Sequence, residues 1–213
     1  MSSDVLVTTP AQRQTEPHAE AVSRNRRQQA TFRKVLAAAM ATLREKSYAD
    51  LTVRLVAARA KVAPATAYTY FSSKNHLIAE VYLDLVRQVP CVTDVNVPMP
   101  IRVTSSLRHL ALVVADEPEI GAACTAALLD GGADPAVRAV RDRIGAEIHR
   151  RITSAIGPGA DPGTVFALEM AFFGALVQAG SGTFTYHEIA DRLGYVAGLI
   201  LAGANEPSTG GSE

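Results

Sequence analysis

"TVRLVAARAKVAPATAYTYFSSK", residues 52–74, is the stretch whose reading decides the fold. Thr52 is a strong N-cap residue. Behind it Val53, Val56, Ala57 and Ala60 fall at the spacing that lays one apolar stripe along a helix of about two turns. "KVA" (61–63) interrupts that pattern. Pro64, with its fixed φ and missing N–H, suits the first position of a second short helix running to about Tyr70. Ser73 can then cap a longer helix, in which Leu77, Ile78, Val81, Tyr82, Leu85, Val86 and Val89 recur at helical spacing. Tyr68, Tyr70 and Phe71 lie within four positions, in a chain with only 6 Tyr, 6 Phe and no Trp.

Two short helices joined by a three-residue turn form a helix-turn-helix, in which the second helix can enter a DNA major groove while the first crosses the backbone. Charge points the same way. Residues 1–80 hold 12 Lys+Arg against 6 Asp+Glu, and the remainder holds 9 against 15, so the formal net charge of +0 is a sum of opposites. From Arg24 to Lys74 the count is 11 basic to 2 acidic, Glu45 and Asp50. Such a segment can neutralise phosphates and release counterions.

Outward from this segment nearly everything reads as helix. Phe32, Val35, Leu36, Ala39, Met40 and Leu43 form the apolar stripe of a first helix, entered through "RNRR" (24–27). "VPCVTDVNVPMP" (89–100) ends the helix begun at Ser73 and marks a connection between modules. Further helices are predicted at about 101–115, 118–130, 135–156, 162–181 and 185–203, several entered through Asp-Pro or Glu-Pro pairs that suit helix starts. No segment alternates with period two, so the fold class is all-α. Residues 1–23, rich in Ser, Thr, Pro and Gln, read as a flexible arm, and residues 205–213 as a flexible tail. The longest uninterrupted apolar run, 193–204, is too short for a bilayer and the N-terminus lacks a signal-peptide pattern. No membrane partner is expected, and Cys91 and Cys124 are expected as reduced thiols of a cytoplasmic protein.

"LTVRLVAARAKVAPATAYTYFSSKNHLIAEVY" (51–82) resembles the DNA-binding segment of the tetracycline-repressor (TetR) family, whose recognition helix ends in a Thr-x-Tyr-x-Tyr/His-Phe pattern followed by a short cap and a lysine. Thr66, Tyr68, Tyr70, Phe71 and Lys74 carry that pattern here. The resemblance implies an N-terminal helix-turn-helix DNA-binding domain (24–76) and a C-terminal helical ligand-binding and dimerisation domain (77–204). It places Pro64, Ala65, Thr66, Tyr68 and Thr69 toward base edges, with hydroxyls for hydrogen bonds and apolar surface for thymine methyls. Thr52, Arg54, Tyr70 and Lys74 would hold phosphates, and Arg26 and Arg27, just before the first helix, would add phosphate or minor-groove contacts. Ala67 and Phe71 are expected in the core. Three residues depart from the family pattern: Lys61 stands at a frequent turn glycine, Ala63 at a Ser/Thr cap, and Ala67 at a larger aliphatic.

In the last two long helices small residues recur every four positions: Ala167, Ala171, Ala175 and Ala179, then Ala190, Gly194, Gly198 and Ala202. Interior glycines weaken a helix unless close packing compensates, and the helix around Phe166–Val177 is apolar nearly all round. These positions are therefore expected at a four-helix interface of a homodimer, which the resemblance also implies and which would match a palindromic double-stranded operator. The resemblance further implies a small-molecule effector in the larger module, with Met99, Leu107, His109, Leu110, Cys124, Leu128, Ile148, Met170 and Phe173 as candidate pocket positions. They are mostly apolar, which suits an apolar or amphipathic ligand. No cofactor or metal is expected. The chain has no His-Glu-x-x-His, Cys-x-x-Cys or Gly-x-Ser-x-Gly, and Glu147 and His149, two apart, face different sides of a helix. An enzyme is not expected. Together these readings describe a ligand-responsive transcriptional regulator, by default a repressor. The alternative is a helical ligand-binding regulator acting through protein partners.

Overall fold

The computed structural model describes residues 16–204, and every regular element among them is helical. In chain order these are α1 (Glu16–Leu43), α2 (Val53–Arg59), α3 (Pro64–Tyr70), α4 (Lys74–Gln88), α5 (Met99–Ala111), α6 (Pro118–Asp130), α7 (Pro135–Ile156), α8 (Pro162–Gly180) and α9 (Tyr186–Ala204). Short 3-10 turns follow α5 and α6. Proline sits in the first positions of α3, α5, α6, α7 and α8, where its missing N–H leaves no helical bond unmade. Asp134 and Asp161 cap α7 and α8 by accepting from the N–H groups of Ala136 and Thr164.

The expected arm needs correction. Residues 1–15 and the tail 205–213 lie outside the described residues, but 16–23 belong to α1. Pro17 at the helix start and the good helix formers Ala19, Glu20 and Ala21 extend the helix backward. Arg26 and Arg27 consequently lie within α1 rather than ahead of it, and both are exposed.

α2 and α3 close on α1 and α4 around Ala67 and Phe71, both fully buried. Phe32 of α1 stacks on Phe71 with ring centroids 5.0 Å apart, and Tyr70 meets Phe32 edge-on at 6.1 Å. The chain turns between α2 and α3 with Lys61 at φ 53°, a left-handed conformation that costs a residue with a Cβ about 1–2 kcal/mol. Ala63 is the N-cap of α3 and supplies no side-chain acceptor. Two of the three departures from the family pattern are therefore local weak points.

α4 runs beside α7 in the same direction, and polar contacts bind the pair along its length. At the N-terminal end Ser73, which caps α4, donates from its hydroxyl to Asp134, which caps α7, at 2.9 Å. Midway, Arg143 donates to the buried Glu80 carboxylate at 2.6 Å, with His76 one turn before it on α4. At the far end Arg151, 1% exposed, donates to the carbonyls of Arg87 and Val89, the unpaired C-terminus of α4, and to the Glu147 carboxylate at 2.7 Å. Burial opposes ionisation of Glu80, yet His76 and Arg143 together hold it below the ordinary carboxylate range. Hydrogen bonds from Arg150 and Arg151 take Glu147 down to about 2.

α8 meets, by length and composition alone, the test for a membrane-crossing helix. Counting uninterrupted apolar residues overlooks it because Glu169 and Gln178 break the run. Only 28% of its most apolar window is buried. Leu168 and Phe172 enter the core, Glu169 accepts His149 at 2.8 Å, and Phe166 and Met170 are exposed.

The small-residue stripes divide between the monomer's own core and its surface. Ala179 and Ala190 are buried in the monomer's own core, and a Cβ on Gly194 would come within 3.1 Å of Thr104 on α5. Ala167, Ala171 and Ala175 are half-buried, whereas Gly198 and Ala202 are exposed. Spacing of four identifies close contacts without saying whether the neighbour belongs to the same chain. Here much of it does.

Lys61→Gly should raise stability by about 1 kcal/mol by relieving the left-handed backbone. In a chain of this size that is a rise of about 2–4 °C in Tm, and an unchanged or lowered Tm would contradict it. Glu147 has a lowered folded-state pKa, so its contribution is complete above the ordinary carboxylate range and is lost as pH falls toward about 2. Urea midpoints measured from pH 7 to 2.5 should fall less steeply for Glu147→Gln than for the parent; parallel curves would sink this.

Candidate functional site

Two places combine exposed or unpartnered chemistry with a firm scaffold. The first is the outer face of α2 and α3. Pro64, Ala65, Thr66, Tyr68 and Thr69 are all exposed while Ala67, among them, is fully buried, so α3 lies on the core by one narrow edge. Tyr68 is 52% exposed. Thr69 donates to the Thr66 carbonyl at 2.6 Å and keeps its oxygen free to accept. Thr52 accepts from the N–H of Leu55 at 3.1 Å, which caps α2 and leaves its hydroxyl proton free. Arg54, next to it, is exposed. Tyr70 is half-buried against Phe32.

Not all the basic residues are equally available. Lys74 points partly inward: its Nζ donates to the Tyr48 carbonyl at 3.1 Å and sits 4.2 Å above the Tyr48 ring. That clamps the start of α4 to the segment after α1 and leaves fewer donors for a phosphate. Arg59 pairs with Glu45 at 2.5 Å, and Arg44 with Glu117. A count of basic residues therefore overstates the free positive charge, which Arg26, Arg27 and Arg54 can still supply.

The second place is a cavity of about 550 Å³ walled by α4, α6, α7, α8 and the start of α9. Of the nine expected pocket positions it brings together Cys124, Leu128 and Phe173. Leu107, Leu110 and Ile148 are fully buried core residues away from it, and Met99 is packed at the core's edge. His109 lines a separate shallow groove beside Val89, and Met170 a third between α8 and α9. Apolar character alone does not distinguish a wall with space beyond it from one with a neighbour. Burial pushes the Cys124 thiol up to about 12, so it stays protonated at neutral pH.

Tyr82, Arg141, Gly145 and Tyr186 also line this cavity and were not expected there. Arg141 had a legible signal: it precedes Ile144 by three and Gly145 by four, placing a guanidinium on the inward face of α7. Tyr186 lies so close over Gly121 of α6 that any Cβ there would displace its ring. Glycine at 121 lets α6 and the start of α9 form one wall.

The α8–α9 face exposes several large apolar side chains, with Gln178, Asp191 and Arg192 beside them. Phe166, Met170, Val177, Tyr195 and Leu199 are exposed, Tyr195 at 72%. Met170 and Tyr195 share the groove of about 650 Å³ between the two helices. An apolar surface of this kind on two adjacent helices is unusual for a lone subunit.

Residues 35–81 match the family model for bacterial regulatory proteins, tetR family. The fold is similar to that of a TetR transcriptional regulator from Rhodococcus sp. RHA1 (21% identity, TM-score 0.69, covering 85% of this chain and 99% of that one). It is also similar to Thermus thermophilus FadR, a TetR-family transcriptional repressor in complex with lauroyl-CoA (18% identity, TM-score 0.60, 85% and 99% covered). A TetR transcription regulator from Haloarcula marismortui has the same fold (18% identity, TM-score 0.56, 82% and 98% covered). The tetR-family match thus lies on the helix-turn-helix, and the described chain has the fold of these regulators.

Proposed function

We propose that the chain is a ligand-responsive repressor, binding a palindromic operator as a homodimer and released by a small apolar or amphipathic effector. The division proposed is a DNA-binding domain at 24–76 and an effector and dimerisation domain at 77–204. One observation carries the DNA reading: α3 exposes Pro64, Ala65, Thr66, Tyr68 and Thr69 together while Ala67 and Phe71 anchor it from behind. That leaves a rigid helix with hydroxyl and apolar groups free for base edges. Arg54, Thr52 and the Tyr70 hydroxyl are assigned to phosphates, joined by Arg26 and Arg27 from α1. Lys74 serves first to position α4 and contributes its remaining donors to the backbone.

For the dimer the proposal places Phe166, Met170, Tyr195 and Leu199 at the subunit contact, beside the exposed Gly198 and Ala202. Burying these side chains would supply the apolar interface core that the monomer leaves open. Symmetry would then set two α3 helices about 34 Å apart or somewhat more.

Release requires the effector to bind more tightly to a conformation that fits DNA poorly. The cavity between α4, α6, α7, α8 and α9 is the proposed effector site, and the long acyl group in the Thermus relative supports a ligand with a substantial apolar part. Tyr82 of α4 and Ile144 and Gly145 of α7 share that cavity, and the Ser73–Asp134, Glu80–Arg143 and Arg87–Arg151 contacts tie the same two helices together. A ligand that shifts them therefore acts on α4, which carries α3 at its other end.

Fluorescence anisotropy with labelled fragments from upstream of the protein's own gene should give a site-specific complex that weakens steeply with salt. Thr66→Ala or Tyr68→Ala should cost about 1–3 kcal/mol on the specific site and little on unrelated DNA, whereas Arg54→Ala should weaken both. Equal loss on all DNA by Tyr68→Ala, or no specific fragment at all, would favour a regulator working through protein partners. Leu199→Glu should shift sedimentation from dimer to monomer and weaken operator binding with it. A parent protein that sediments as a monomer would refute the assembly.

A further inference from the structure

Two residues that line the cavity carry buried polar atoms that the described part of the protein leaves without partners. Tyr82 is 4% exposed, and its hydroxyl is buried with no hydrogen-bond partner among the described residues. Nε and Nη2 of Arg141 are likewise buried and unpartnered. Both side chains line the cavity, whose walls are otherwise chiefly apolar, with Leu128, Ile144 and Phe173 among them. Neighbouring arginines of α7 are satisfied: Arg143 by Glu80, Arg150 and Arg151 by Glu147. Among the described residues, Arg141 has no carboxylate within ion-pair distance, although Asp142 stands exposed at the cavity's rim. Withholding acceptors from a guanidinium that never loses its charge is destabilising unless something else supplies them.

We infer that Arg141 and Tyr82 form a receptor for the acidic head group of the effector, and that the effector is an amphipathic monocarboxylate. This rests on the reading of the cavity as the effector site. A guanidinium presents parallel N–H groups matched to the two oxygens of a carboxylate, and the Tyr82 hydroxyl can add a third donor. One cation balances one negative charge. A phosphate dianion would be left partly unmatched and would also face the Asp142 carboxylate at the rim. The apolar walls take the hydrocarbon part of the ligand.

Calorimetric titrations of the full chain with decanoate, decan-1-ol and decanoyl-CoA separate the possibilities. Decanoate should bind saturably, and Arg141→Met should weaken it about ten- to a hundredfold. Tyr82→Phe should weaken it less. Decanol should bind more weakly than decanoate and be indifferent to Arg141→Met. Gly145→Leu should weaken both by filling the cavity, since a Cβ added at Gly145 meets nothing within 4 Å. Without ligand, Arg141→Met should melt no lower than the parent, which distinguishes lost recognition from lost folding. Decanol binding as tightly as decanoate, decanoate binding untouched by Arg141→Met, or a preference for decanoyl-CoA regardless of Arg141 would overturn the carboxylate assignment while leaving the cavity as a ligand site. Failure of all three to bind, or binding unaffected by Gly145→Leu, would overturn the effector site as well.

Discussion

The rest of the molecule depends on the buried guanidinium of Arg151. It donates to the Arg87 carbonyl in the last turn of α4, to the carbonyl of the C-cap Val89, to the Glu147 carbonyl and to the Glu147 carboxylate, so that each of its three nitrogens is engaged. Helix C-termini leave carbonyls unpaired, and here those of α4 are satisfied by a side chain of α7. Removing one partner of such a buried charge network is far more damaging than never having built it. α4 therefore cannot slide along α7 without losing several charge-assisted bonds at once. It can move with α7, as one body, and that restriction is what makes a two-helix lever mechanically useful.

The same restriction explains why α4 belongs to neither half alone. Its N-terminal turn sets His76 edge-on against Phe71, while its later turns supply Tyr82 to the cavity wall. The proposed division at residue 76 follows the residues assigned to DNA, yet the apolar core is continuous across it. Coupling between sites then needs no special conduit beyond packed side chains and the Ser73, Glu80 and Arg151 contacts.

Much of this was legible in the sequence, for identifiable reasons. α2, α3, α6 and α7 could be read to within a residue because each begins at a cap or a proline and ends at a break in apolar periodicity. Ala67 and Phe71, expected in the core alongside the resemblance, are fully buried. What stayed hidden depends on neighbours distant in sequence. Gly194 looks like Gly198 in the sequence, but Thr104 lies against the first and open space against the second. Leu107 and Ile148 resemble Leu128 in chemistry, yet only Leu128 has a void beside it. The backward extension of α1 is hidden because a polar composition suits an arm as well as an exposed helix, and Glu and Ala are good helix formers.

The weak points of the fold are also unevenly placed, and their location is informative. Lys61 in the left-handed region and Ala63 without a capping oxygen both sit in the turn that presents α3. The unpartnered Arg141 and Tyr82 sit in the cavity. Elsewhere among the described residues the buried polar side chains are matched, the Thr153 hydroxyl apart, down to the bond that joins the caps Ser73 and Asp134. Sequences that are consistent at every level tend to relax that consistency where function sets a competing demand. For the turn the demand would be a backbone shaped to DNA, and for the cavity a charge kept waiting for its ligand. A ligand that completes the bonding of Arg141 also supplies stability that the empty protein lacks. Under the proposed function its binding energy would be linked, through Tyr82 and α7, to the position of the helix that carries the surface assigned to DNA.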